Sequence, residues 1–548
     1  VAALVLGPLL RYVSRTEATV WVEVDGPCTV DVLGHRSETF QVNGRHYAIV
    51  AVRGLQPAAC VEYEVLLDGV RCWPESDGEW PGSSIRTLPL DGPLEIVFGS
   101  CRVSRPDCPP YTLSPDDHEL GVGVDALGAV AARMRSEDPG RWPHQLLLLG
   151  DQVYADEVPP DTARFIRARR DVSRPPGLEV ADFDEYARIY REAWAARPLR
   201  WLLSTLPSAM IFDDHDVHDD WNTSAAWVAE MHAEPWWADR IAGALATYWI
   251  YQHLGNLAPD ELARDPLLAA VRQATDGGTL LREFALAADC DGGGGLWSFS
   301  RDLAGTRLVV LDGREGRILE EGHREMFDEP EWRWLTDRST GDFDHLVLAT
   351  TLPVLLPATL HYLEALSEPL CSGAWGTSAR RLGEWLRQGF DLEHWAAFES
   401  SFRRLLVLTR EVGAGRRGSP PASILFLGGD IHQGYLQQAA FPASAGVRSA
   451  VYQAVCSPFR NPLDHRERTV LQFMRRSSVL ARVVRWLAHA IGVGDPEATW
   501  TLAQEPTFDN QMATLTFDGR AASLRIERTR PGDGRDPVLE TTLDRRLA

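Results

Sequence analysis

Between residues 213 and 220 the chain reads DDHDVHDD, five aspartates and two histidines directly behind the apolar run Ser208-Ala209-Met210-Ile211-Phe212. An apolar run is drawn inside, so the carboxylates that follow emerge at its edge, where their mutual repulsion calls for positive charge. A metal ion is the natural source. Three further apolar runs end in residues of the same chemistry: FGSCR at 98–102, LGDQVYADE at 149–157 and LGGDIHQG at 427–434. Carboxylate, imidazole and thiolate are all metal donors.

These groups are far apart in sequence, so the elements that carry them have to bring them together. From residue 94 onward, strand-like runs (LEIVFG at 94, QLLLLG at 145, SAMIFD at 208, RLVVLD at 307, HLVLAT at 345, SILFLGG at 423) alternate with long helical patterns. That is the texture of an α/β core whose sheet is buried on both faces. In open α/β sheets, functional groups collect outside the carboxyl ends of the strands, which lets four such ends converge. Near the end, MATLTFDGRAASLRIERT places two alternating runs around Asp518-Gly519 and predicts a hairpin that completes a sheet. Residues 224–290 are helical and aromatic-rich, an insertion whose Trp227, Trp236, Trp237, Trp249 and Tyr251 are expected in a core. Residues 1–92 alternate in short runs broken by Gly, Pro and Asp, as a small β-sandwich of about seven strands would, with WPESDGEWPGSSIRTLPLDGP (73–93) as the linker.

The chain of 548 residues is long enough for two or three structural units. Its formal net charge of −22 argues against a nucleic-acid scaffold as partner, and makes an anionic substrate hard to bind unless cations invert the local field. There is no lysine, which excludes P-loop, Schiff-base and pyridoxal chemistry. The eight cysteines form no C-x-x-C pair, so neither a zinc ribbon nor a dense disulfide frame is expected. No run is long enough for a transmembrane segment. With no targeting segment visible, a cytoplasmic location is the expectation, and export with a removed leader the alternative. Nothing in the sequence bears on oligomeric state.

Taken together, the motifs G-S-C (99–101), G-D-x-x-Y (150–154), D-D-H (213–215) and G-D-I-H (429–432) resemble those of the alkaline phosphatase D (PhoD-like) family of calcineurin-like metallophosphoesterases. The resemblance covers roughly residues 94–470, and the amino-terminal sandwich is typical of the same family. It implies a metallophosphoesterase-like two-sheet sandwich flanked by helices, residues 93–548, preceded by a small all-β domain of fibronectin or immunoglobulin type. It implies a metal-dependent phosphoric ester hydrolase, phosphodiesterase or alkaline phosphatase, acting on a phosphate mono- or diester. Carried onto this chain, Asp151 bridges two metals and Tyr154 and Cys101 join it around ferric iron. Asp214 and His215 come from D-D-H, and Asp430 and His432 from G-D-I-H. Phenolate, thiolate and carboxylate together favour trivalent iron, whereas an aspartate-rich second site suits Ca2+, with Zn2+ or Mn2+ as alternatives. Such a Lewis-acid pair lowers the pKa of a water to make hydroxide and neutralises phosphoryl charge, and His215 would serve as the proton donor beyond the metal edge.

Other residues are weighed beside these. Arg102, and Arg314 in LDGREGR, are candidates to clamp a phosphate bidentately. Asp213, Asp216, His218, Asp219 and Asp220 compete with a role as helix caps or solvated loop residues, and Asn222 and Asn461 are candidates for a calcium shell. The superfamily usually places a further histidine after a strand between the third and last motifs. HLVLATTLPVLLP has none, and His361 is the nearest. The competing function is a non-catalytic calcium-binding adhesion or interaction module. It is disfavoured because, counting from Asp213 or Asp214, the sixth residue is not the Gly and the twelfth not the Glu of an EF-hand. No G-x-S-x-G or H-E-x-x-H is present.

Overall fold

The computed structural model describes residues 2–75, 80–291, 297–372, 376–389, 392–532 and 536–548; residues 76–79 of the expected linker lie outside them. Each of the six strand-like runs is a strand: Leu94–Gly99, Gln145–Leu149, Ser208–Ile211, Thr306–Leu311, His345–Thr350 and Ser423–Gly428. They divide between two mixed sheets. In the first, Leu94–Gly99, Gln145–Leu149 and Ser208–Ile211 run parallel. The expected hairpin, Gln511–Asp518 with Ala521–Arg530, adds antiparallel on the other side of Leu94–Gly99, its turn closed by the pair Asp518 and Ala521. In the second, Thr306–Leu311, His345–Thr350, Ser423–Gly428 and Ala450–Cys456 are parallel, with antiparallel strands at both edges.

The period of two in a strand explains how the layers hold together. Leu308, Val310, Val347, Ala349, Leu425 and Leu427 share one core with Val97, Leu146 and Leu148 of the first sheet, so the sheets pack face to face. Their sequence neighbours Val309, Leu311, Leu346, Leu348, Ile424 and Phe426 face a second core, shared with Phe402, Leu405 and Leu406 of helix Glu399–Gly413. A strand buried on both sides has to be apolar at every position, and burying each leucine stabilises the fold by about 1.5–3 kcal/mol.

The amino-terminal region is all-β but more finely divided than the sequence suggests. It forms ten short strands in sheets of four, four and two among the described residues. The stretch read as a linker contains one of them, Ser84–Arg86, paired antiparallel with Cys60–Glu62. Three residues of alternating pattern beside a proline-rich stretch are too short a signal to separate from loop.

The 224–290 insertion is helical, and Trp227, Trp237, Trp249 and Tyr251 are buried in it, with Trp236 half-buried. It closes against the amino-terminal sandwich through a polar seam. Arg11 donates to the carbonyls of Ser208 (3.1 Å), Tyr251 (2.6 Å) and Gln252 (2.8 Å). Glu23 accepts from Arg45 (3.3 Å) and from the Tyr251 hydroxyl (2.9 Å).

Candidate metal centre

Cys101, Asp151, Asp213 and Asp430 each stand two residues beyond the end of a strand, the first three from one sheet and the fourth from the other. Parallel neighbours therefore deliver three of these side chains side by side, and the facing sheet delivers the last. Two glycines permit the approach. Gly150 has a φ of +94°, and a Cβ on it would stand 2.6 Å from that of Asp213; a Cβ on Gly429 would lie 3.1 Å from the Leu149 carbonyl and closer still to Ser100. Four non-glycine residues of the motifs, Cys101, Asp151, Asp430 and His432, have φ between +48° and +61°. Backbone strain of this kind persists where surrounding structure enforces it, and it clusters at functional sites.

The acid cluster is tight. One ligand oxygen from each of Asp151, Asp213 and Asp214 lies within 4.8 Å of the others, and all three residues are buried. Asp151 Oδ1, Asp213 Oδ2 and Asp214 Oδ1 have no hydrogen-bond partner, although the Arg314 guanidinium approaches the last to 3.1 Å. Burial, with the neighbouring carboxylates, holds the Asp151 and Asp213 carboxyls well above the usual range. Burial and then Asp151 and Asp430 likewise push up the Cys101 thiol, which donates to the Asp430 carbonyl (3.4 Å). The Tyr154 phenol is raised by burial and by Asp151, lies 3.4 Å from Asp151 Oδ2 and accepts from the Asn461 amide (3.3 Å). Burial pushes His432 down to about 4, with Asp430, Asp214 and His215 as its charged neighbours. Carboxylates, a thiol and a phenol that resist deprotonation on their own, beside an imidazole held neutral and buried oxygens left open, suit a bound cation, which offsets the cost of each deprotonation.

His215 stands at the edge. Burial opposes its charge, yet Asp156, accepting from Nδ1 at 2.8 Å, lifts it well above the usual range; its ring packs 4.6 Å from that of Tyr154. Nε2 is 3.8 Å from the exposed Asp219. Asp216 behaves differently from its neighbours. Its carboxylate takes the backbone N–H groups of Gln152 (3.2 Å), Val153 (3.2 Å) and Asp213 (2.9 Å) and so ties two of the strand tips together.

Several sequence expectations land elsewhere. Arg102 is not at an open phosphate site: it is buried, with Nε and Nη2 on Asp125 (2.8 and 2.6 Å) and Nη1 on the Ala193 carbonyl (3.0 Å), where Asp125 also caps helix Ala126–Ser136. Arg314 reaches the centre but from behind, fully enclosed and ion-paired with Asp213, Asp214 and Glu393. Asn222 donates to the Arg314 carbonyl (3.1 Å). His218 lies among Trp227, Trp236 and Trp237. His361 packs between Phe402 and Trp500, pushed down to about 4 by burial. The mid-chain histidine that does reach the centre is His394, with Nε2 3.6 Å from Asp430 Oδ2 and Nδ1 2.7 Å from Glu364. It follows no strand, so strand-end logic passes over it; its only sequence signal is its place between the third and last motifs.

Comparison with known proteins bears on the family and the fold. Residues 128–270 match the family model of the PhoD-like phosphatases, and residues 1–85 match a domain of unknown function, DUF7800. Among curated proteins there is no match. A solved structure of PhoD aligns over 99% of this chain and 92% of its own at 12% identity, with a TM-score of 0.59. The purple acid phosphatase PPD1 from yellow lupin (Lupinus luteus) seeds aligns over 97% and 74% at 9% identity, with a TM-score of 0.49. The likeness to PhoD is one of fold.

Proposed function

Starting from a PhoD-like chain with the fold of that family, we propose that this protein is a metal-dependent phosphoric ester hydrolase, a phosphodiesterase or alkaline phosphatase. The observation that carries the reading is the cluster of Asp151, Asp213 and Asp214, buried, mutually close and left with open oxygens. Asp151, Tyr154 and Cys101 would hold ferric iron, and Asp214, Asp430, His432 and His394 one or two divalent ions, Ca2+ first among them, with Asp213 on the shared side. When bound, the ions supply Lewis acidity, making water acidic and neutralising charge on the phosphoryl oxygens. His215 is oriented by Asp156 at Nδ1 and keeps Nε2 for the leaving oxygen, to which it donates a proton. Arg314 balances Asp213, Asp214 and Glu393 from behind. Arg102 has no part in the chemistry.

The test is turnover of bis- and mono-nitrophenyl phosphate after reconstitution with iron and calcium, with metal analysis and thermal melting on the same samples. Asp151→Asn is expected to lower kcat about a thousandfold or more and to abolish the rise in Tm on metal addition. Inert wild-type protein that binds calcium would favour the adhesion module. A phenolate-to-iron band that Tyr154→Phe removes would support iron; a colourless zinc protein would refute it.

A further inference from the structure

Helix Ala358–Cys371 carries a buried acid whose one ion-pair partner among the described residues is a histidine. Glu364 is 2% exposed, its Oε1 lies 2.7 Å from Nδ1 of His394, and its Oε2 has no hydrogen-bond partner. Both ends of this pair are anchored. The segment leading into the helix is tied to strand Ala450–Cys456, where Leu355 and Gln453 exchange two hydrogen bonds of 2.7 Å, and the Trp500 indole donates to the Leu356 carbonyl (2.7 Å). On the other side, Glu393 is ion-paired with Arg314 and Arg317, and the turn Trp395–Ala397 buries Trp395 against Phe327. His394 lies between those two anchors, so the fold sets the direction of its ring.

The chemistry follows from where the protons can be. An ionised carboxylate only accepts, so Glu364 places the single proton of a neutral imidazole on Nδ1 and leaves Nε2 with a bare lone pair. That nitrogen is buried without a hydrogen-bond partner and stands 3.6 Å from Oδ2 of Asp430. The gap is too long for a hydrogen bond, and two electron-rich atoms set side by side in a buried space call for a cation between them.

We propose that Glu364 is a positioning residue of the metal centre: it fixes the Nδ1–H form of His394 and so presents Nε2, beside Asp430, to a divalent ion. The role rests on the reading of the centre as one that binds divalent metal, and not on its turnover of phosphate esters. Imidazole is a better donor to Zn2+ than to Ca2+, whose ligands are oxygens, so the loss of Glu364 falls unequally on the two ions.

Calorimetric titration of metal-stripped protein with Zn2+ and, separately, with Ca2+ tests it. Glu364→Gln is expected to weaken Zn2+ binding about 10–100-fold and Ca2+ binding by less than about threefold. In a His394→Ala background, Glu364→Gln is expected to add nothing. Nitrogen-15 spectra of histidine-labelled wild-type protein loaded with Zn2+ should show the His394 ring, identified by its absence in His394→Ala, protonated at Nδ1 and not at Nε2. Equal losses for the two ions, additive losses in the double variant, or a ring protonated at Nε2 overturn the proposal, and the spectra decide it even where Glu364→Gln does not fold. Wild-type protein that binds neither ion overturns the proposal and the metal reading together. The expected pattern without turnover of nitrophenyl phosphates upholds the positioning role and removes the phosphoesterase.

Discussion

Two buried polar regions of this molecule are built on opposite rules. At the seam between the amino-terminal sandwich and the helical insertion, every donor of Arg11 named above meets a carbonyl, and Glu23 meets both a guanidinium and a phenol. At the strand tips, three neighbouring carboxylates keep open oxygens, offset by Arg314 beside Asp213 and Asp214 and by His215 near Asp151. A saturated buried charge holds parts together; an unsaturated one is kept for something that arrives later.

The contrast is sharpened most by removing Arg314. Arg314→Met leaves Asp213, Asp214 and Glu393 without their shared cation, and a loss of about 3–5 kcal/mol in urea unfolding is expected, partly recovered by adding calcium. At the seam, Arg11→Met exposes three carbonyls to an apolar neighbour and is expected to cost about 2–4 kcal/mol. Metal addition should leave that loss untouched, and turnover per folded molecule should stay at the wild-type value. A recovery by calcium at the seam would break the comparison.

A smaller effect comes from Glu331, a buried carboxyl that accepts from Ser298 and has no ion-pair partner among the described residues. Burial and then Asp312 push it up to about 8. Because its folded pKa lies above its unfolded one, the native state binds the extra proton, and stability falls as pH rises from about 4.5 through 8. Glu331→Gln is therefore expected to raise unfolding stability at pH 9 by on the order of 1 kcal/mol, read as a higher Tm, and to change nothing at pH 4. Smallest of all is His361→Phe, which should leave turnover within about twofold, since the ring only packs between Phe402 and Trp500.

Much of this was legible in the chain because the signals are dense. Six apolar runs became six strands, and Asp518-Gly519 became a hairpin turn, since short-range patterns decide both. The motif residues were found because they follow those strands. What escaped has no local signature. The Asp125 side chain that claims Arg102 is 23 residues away, and His394 meets Asp430 from a loop whose position depends on Glu364 and the helix beneath it. Asp213 and Asp216 look alike in DDHDVHDD. Only packing shows that one is left open and the other is consumed by three backbone amides.

The left-handed backbone at Cys101, Asp151, Asp430 and His432 has an evolutionary corollary. Each of these residues carries a conformational burden of about 1 kcal/mol or more that glycine or asparagine would relieve. A lineage selected only for endurance, with its reaction no longer needed, would therefore relax at those four places first. Glycine there in a descendant would be the fossil of an abandoned activity.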